Sequence, residues 1–261
     1  MAQTFVLAID IGNTNTHAGV IDCDALSCLR SDVFPTKDAV RRLGGSLKKL
    51  VSPAGFAKAP PAVVCSVVKI DRGSVAAAIA EAGCGPPVWF EYTPRFPIKV
   101  SYDNAALLGP DRLADCLYCC AAHPGKSQII IDAGTAITVD FLRNGSEFSG
   151  GTIMPGISTQ LSSLHEHAAA LPSVELDESA TEFPGRSTKS AMTTGVVYGT
   201  AGALSFVVAR YREQFGKDAM VMATGGAWRH VEKLVTFEYE FVKEMTMIGT
   251  GLFSIVEELK R

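Results

Sequence analysis

The sequence predicts an α/β fold assembled from two similar halves. Three observations carry this: strand-length apolar runs alternate with helix-like segments, one strand–turn–strand pattern occurs twice, and 261 residues exceed the ~150 residues of an average domain. The composition, 47% hydrophobic and 20% charged, is that of a packed globular chain and excludes disordered, collagenous and coiled-coil readings. A formal net charge of −3 gives no general attraction to nucleic acid or anionic membrane, so the expected partner is a small molecule. Seven cysteines, an odd number, and no signal-like segment before the first apolar run point to a reducing cytoplasm.

Taken in order, Phe5 to Ile9 is a continuous apolar run that ends at Asp10, and Ala18 to Ile21 resumes it after a polar turn, as a strand and its return. Ala62 to Val68 reads as another buried strand, and the alanine-rich stretch from Ser74 to Ala82 as a helix stopped by Gly83. A short strand follows Gly85-Pro-Pro87, Pro94 and Pro97 break the next stretch, and Leu113 to Ala122 is helical in pattern. Ile129 to Ile131 form a β-branched strand closed by Asp132, with a return strand from Ala136 to Leu142. Helices are expected from about Ile157 to Ala169, from Ser190 to Gln214, after Gly226, and at the end of the chain to Arg261; a strand is expected from Ala219 to Ala223. Ser190 to Ala209 carries no charge, but its glycines, serines and threonines read as a buried helix rather than a membrane span. Within it Gly195, Gly199 and Ala203 share one face, which suits close packing inside the subunit or against a second one.

The repeat has a chemical meaning. Asp10-Ile-Gly12-Asn13-Thr14-Asn15-Thr16 and Asp132-Ala-Gly134-Thr135-Ala-Ile-Thr138 both follow an apolar strand and precede a return strand, 122 residues apart. Glycine lets such a turn bring backbone N–H groups against a phosphate, Thr and Asn add donors, and the strand-end Asp can hold a cation or its waters. One such hairpin is an ordinary turn; two at matching positions suggest duplicated domains gripping a polyphosphate in a cleft between them. Thr224-Gly225-Gly226, a strand running into a glycine pair, is a further place where backbone can approach a flat ligand such as adenine. Neither a Walker-type phosphate loop nor a Rossmann glycine fingerprint is present.

With these residues in place the chain resembles the type III pantothenate kinases, of the acetate and sugar kinase, heat-shock 70 and actin superfamily. The resemblance runs in order through Asp10–Thr16, Gly109-Pro110-Asp111-Arg112, Asp132–Asp140, Gly150–Gly156, Gly185–Thr188 and Thr224–Gly226. It implies two duplicated actin-like, ribonuclease H-like domains, residues 1–123 and 124–261, and ATP-dependent phosphorylation of pantothenate in the first step of coenzyme A synthesis. On this resemblance, residues 10–16 and Thr135 contact ATP, Asp10 holds magnesium and Asp132 a monovalent cation, potassium or ammonium. It makes Asp111 the proton acceptor, and Tyr102, Gly109, Pro110, Arg112 and Thr188 the pantothenate set. It also implies a homodimer.

The residue chemistry agrees: phosphoryl transfer needs positioning, positive charge and a carboxylate to take the nucleophile's proton, and Arg112 suits a two-point contact with a substrate carboxylate. Asp111 after Pro110 is equally the pattern of a helix N-terminus. Pro110 stands where the family more often has a small residue, and 176–184 matches poorly and is expected as a surface loop. Another small-molecule kinase of the superfamily, and a non-catalytic nucleotide-binding regulator, are the alternatives; the base in Gly109–Arg112 separates the second from a kinase. Cys116, Cys119, Cys120 and His123 have metal-like spacing, but on a helix they form one stripe suited to core packing.

Overall fold

The computed structural model describes residues 4–52, 56, 59–176 and 182–258. They divide into two units, the first comprising residues 1–125, 144–148 and 244–261 and the second 126–143 and 149–243.

The first unit is built on a sheet of order β3-β2-β1-β4-β5, formed by β1 (Phe5–Ile11), β2 (Asn15–Asp22), β3 (Ser27–Pro35), β4 (Ala62–Ser66) and β5 (Val88–Trp89). β1 pairs antiparallel with β2 and parallel with β4, so it is central and buried on both faces. That is why it reads as an unbroken apolar run rather than an alternating one. Leu7, Ile9 and Ile11 pack with Leu43 and Leu47 of α1 (Ala39–Val51) and with Val75 and Ile79 of α2 (Arg72–Glu81). α6 (Met245–Glu258) packs on β1 and β2 and against α3 (Pro110–Ala122).

The second unit repeats this topology. Its strands are β7 (Gln128–Ala133), β8 (Ala136–Arg143), β9 (Glu147–Pro155), β10 (Met220–Thr224) and β11 (Glu240–Phe241), in the order β11-β10-β7-β8-β9. β7, like β1, pairs antiparallel with its return strand and parallel with a later strand. The first residues of β9 group with the first unit, where Glu147 and Phe148 pair with Lys99 and Val100 of the short β6 (Lys99–Val100). α4 (Ile157–His167) and α5 (Thr188–Phe215) pack together. α5 is long and apolar enough to cross a membrane, yet Met192, Val196, Val197, Ala201, Leu204 and Val208 form a buried stripe in this unit's core, the pattern of a core helix.

Several expectations are corrected. The break between units lies at 125/126 rather than 123/124, and the last helix groups with the first unit instead of closing the second. Close approach explains this: an added Cβ on Gly249 would sit 1.8 Å from the Ala114 carbonyl oxygen, so α6 and α3 meet backbone to backbone. β3 and α1 fill a stretch in which the sequence pattern predicts no element. The helix expected after Gly226 is a single 3₁₀ turn, Trp228–His230, fixed by the fully buried Trp228. The end of the last helix at Arg261, and residues 177–181 of the expected surface loop, lie outside the described residues.

Candidate active site

The strand-end loop of the first unit is closed by Gly12 N–H donating to the Asn15 carbonyl at 3.0 Å. Asn13, Thr14 and Asn15 are exposed at its tip, and Asp10 is half-buried at the strand end. Thr16 is placed differently from its neighbours: it is fully buried, its hydroxyl is 3.1 Å from that of Thr36, and Thr36 donates to the Gly12 carbonyl at 2.8 Å. Thr16 therefore props the loop from beneath, while the residues at the tip face solvent.

The second loop has the same closure, Gly134 N–H to the Ala136 carbonyl at 3.0 Å, with Asp132 half-buried and Thr135 exposed. Two further glycines seat it. Gly156 donates its N–H to the Thr135 carbonyl at 2.9 Å, and a Cβ there would fall 2.2 Å from the Gly134 oxygen. Gly225, at φ +94°, lies so close to Ala133 that a Cβ would be 2.5 Å from its carbonyl group; the positive φ itself favours glycine. Three of the glycine elements read from sequence thus converge on one loop. Gly226 beyond them is exposed.

Gly109 precedes α3, Pro110 is its first residue, and Asp111 lies in its first turn, where the missing proline N–H costs nothing and an acidic group meets the positive end of the helix dipole. The Asp111 carboxylate folds back over Gly109, whose absent Cβ would be 2.4 Å from Oδ1, and accepts the Arg112 N–H at 2.9 Å. Burial pushes the Asp111 carboxyl above the usual carboxylate range, opposed by that N–H and by the Arg112 charge. Pro110 also lines an open cavity of about 570 Å³ with Ser66, Tyr92 and Leu108.

Arg112 is buried. Its guanidinium carbon lies 5.3 Å from the ring centre of Phe148 and 6.0 Å from that of Tyr102, and the two rings meet edge to face at 5.9 Å. Phe148 is a neighbour that sequence reasoning missed. Cys65, another, pairs in register with Asp10; burial first, then Asp10, Asp111 and Asp115, push its thiol well above the ordinary range, while a hydrogen bond with Thr250 acts the other way. Asp10 and Asp111 thereby share one neighbourhood in the first unit.

Thr188 is exposed as the first residue of α5; its neighbour Ser187 caps that helix by exchanging hydrogen bonds with Ser190. Cys116 and Cys119 are buried on α3, the Cys119 thiol 3.9 Å from the Met245 sulfur. Among the described residues no group of three or more His, Cys, Asp or Glu is placed to hold a metal. Asp10 and Asp132 each offer carboxylate oxygen beside a backbone turn, a donor chemistry suited to hard cations.

A family model described as type III pantothenate kinase matches residues 6–210. Among curated relatives, the type III pantothenate kinase of Frankia alni is 33% identical, covering 95% of this chain and 97% of its own. That of Chlorobium chlorochromatii is 30% identical, covering 93% and 92%. Among solved structures, the ROK family glucokinase of Streptomyces griseus, crystallised with glucose and AMPPNP, superposes with a TM-score of 0.55 at 11% identity, covering 95% of this chain and 98% of its own. That likeness shows the fold, the two-domain α/β architecture of actin-like kinases. The match along most of the sequence shows more: the chain belongs to the type III pantothenate kinase family.

Proposed function

We propose that this kinase transfers the γ-phosphoryl group of ATP to the terminal hydroxyl of pantothenate, giving 4'-phosphopantothenate for coenzyme A synthesis, with Asp111 as the general base. The observation that carries the role of Asp111 is its half-buried place in the first turn of α3, bonded to the Arg112 N–H. A carboxyl whose pKa burial raises binds a proton more readily than a solvated one, as a general base must. Arg112 pairs with the substrate carboxylate, beside Tyr102, Gly109 and Pro110, and Thr188 completes the pantothenate set.

The exposed tips at Asn13–Asn15 and at Thr135 present backbone and side-chain donors to the nucleotide phosphates, and Gly225 and Gly226 admit its base. Asp10 is the residue to hold magnesium, which when bound neutralises charge on the phosphates. Asp132 is the residue to hold a monovalent cation, potassium or ammonium. A homodimer through α5 is supported by Gly195, Gly199 and Gly202, where an added Cβ would meet nothing within 4 Å, and by Phe206, 67% exposed beside them. The seven cysteines are all thiols, as in a reducing cytoplasm.

The test is Asp111→Asn in a coupled ADP-release assay with pantothenate, sugars and acetate as acceptors. Turnover on pantothenate should fall at least ~100-fold, the usual scale for a general base, with ATP binding kept. Undiminished turnover would remove Asp111 from the mechanism, and preference for another acceptor would overturn the substrate.

A further inference from the structure

We infer that Phe148 is a positioning residue for the substrate carboxylate: its ring fixes the plane of the Arg112 guanidinium. This rests on the reading of Arg112 as the carboxylate's partner and adds the element that aims it.

A guanidinium binds a carboxylate by two parallel N–H groups only when its plane is held, and a long arginine side chain left to itself spreads over many rotamers. Phe148 supplies a fixed surface. It is fully buried, and its backbone is pinned by pairing with β6: Val100 lies opposite it, and Ser101 N–H donates to its carbonyl at 2.9 Å. The preceding residue, Glu147, accepts Ser101 Oγ at 2.6 Å and Lys99 Nζ at 3.1 Å, so the strand entry is anchored on both sides of the ring. Arg112, buried against this ring at 5.3 Å and near Tyr102, lies within the ~6 Å over which a ring face attracts a cation. Tyr102 is 43% exposed. Phe148 is therefore the rigid partner of the two, and Tyr102 the one on the solvent side.

The experiment compares two substrates in each variant: pantothenate, and its analogue with the carboxylate replaced by a hydroxymethyl group. Phe148→Leu keeps an apolar side chain but removes the ring face. Its pantothenate KM should rise about 2- to 30-fold, the range of a cation–π contact from exposed to desolvated. The KM for ATP, turnover and the KM for the uncharged analogue should stay within about twofold of the parent. Phe148→Met fills the space flexibly, provides a second ringless variant and should behave alike. Because both substrates are measured on the same preparation, a general loss of folded enzyme cancels. Equal losses on both substrates would make Phe148 structural only and overturn the inference, as would an unchanged pantothenate KM. Arg112→Met distinguishes the two levels: if it weakens pantothenate selectively while Phe148→Leu does not, Arg112 stands and Phe148 falls. If Arg112→Met leaves pantothenate KM unchanged, both fall.

Discussion

Replacing Gly249 by alanine tests how α6 supports α3, the helix that carries Asp111 and Arg112. A Cβ at this position would lie 1.8 Å from the Ala114 carbonyl oxygen and 2.5 Å from its carbon. These are backbone atoms of α3, which cannot rotate aside as a side chain would. Recovering an ordinary contact of ~3.5 Å means parting α3 and α6 by roughly 1.7 Å. Overpacking typically costs about 1–3 kcal/mol, and an obstruction made of backbone belongs at the upper end. At roughly 3 kcal/mol, a chain of this size loses about 6–12 °C in Tm. The same displacement moves the first turn of α3, which carries Asp111 and Arg112, and a misplacement on the order of 1 Å costs about 100-fold in turnover. Gly45 is the control: it lies in α1, nothing stands within 4 Å of its added Cβ, and Gly45→Ala should stabilise by about 0.4–1 kcal/mol through the unfolded chain. Thermal unfolding followed by circular dichroism, with ADP release on the same samples, reads both effects. A Gly249→Ala enzyme that melts within about 2 °C of the parent and turns over normally would refute the claim that α6 sets the position of α3.

Three further outcomes are expected. Since the proposed base, Asp111, would have to be ionised to accept a proton and burial raises its pKa, turnover should fall on the acid side at a pH above that of an ordinary carboxylate. Arg112→Met removes a neighbour that lowers the same pKa and should move this limb to higher pH; a limb that moves down, or does not move, contradicts the assignment. Gly156→Ala forces its Cβ against the Gly134 and Thr135 oxygens and should raise the KM for ATP by about tenfold or more; parental ATP kinetics would show that the second loop does not contact the nucleotide. Potassium should activate more than sodium through Asp132, and Asp132→Asn should abolish the difference; equal rates of the parent in both salts would remove the cation assignment.

What the sequence made legible follows from burial. β1 and β7 are central strands with parallel and antiparallel neighbours, so both faces are apolar and the runs stand out. α1 has a buried stripe of Ala39, Leu43, Leu47 and Leu50 at helical spacing, but Gly44 and Gly45 in its middle and Lys48-Lys49 at its end hide it among poor helix formers and charges. β3 is an edge strand in which Leu29 and Val33 are exposed, which removes the alternation that would mark it. The last helix is long and apolar enough to recognise, yet nothing local says which half it joins; that depends on Gly249 meeting Ala114, 135 residues earlier.

The duplication was readable as backbone, whereas the division of labour between the halves was not. Asp10 faces Cys65 in register and Asp132 faces Thr224 in the equivalent register, so the two strand ends are built alike. They differ in what surrounds them. Near Asp10 a buried thiol feels three carboxylates, Asp10, Asp111 and Asp115, two of which come from α3. α6, which follows β11 in the chain, groups with the first unit and opens instead with Met245-Thr246-Met247, with no acid–arginine pair. The repeat thus supplies two glycine loops at strand ends, but Asp111 and Arg112, the proposed base and carboxylate anchor, enter once, with α3. The aromatic against that anchor, Phe148, gave no sequence signal because its place depends on a two-residue pairing with β6. Pattern in a single chain reports what each segment repeats or buries; residues that act through one long-range contact become visible only when the strands are registered.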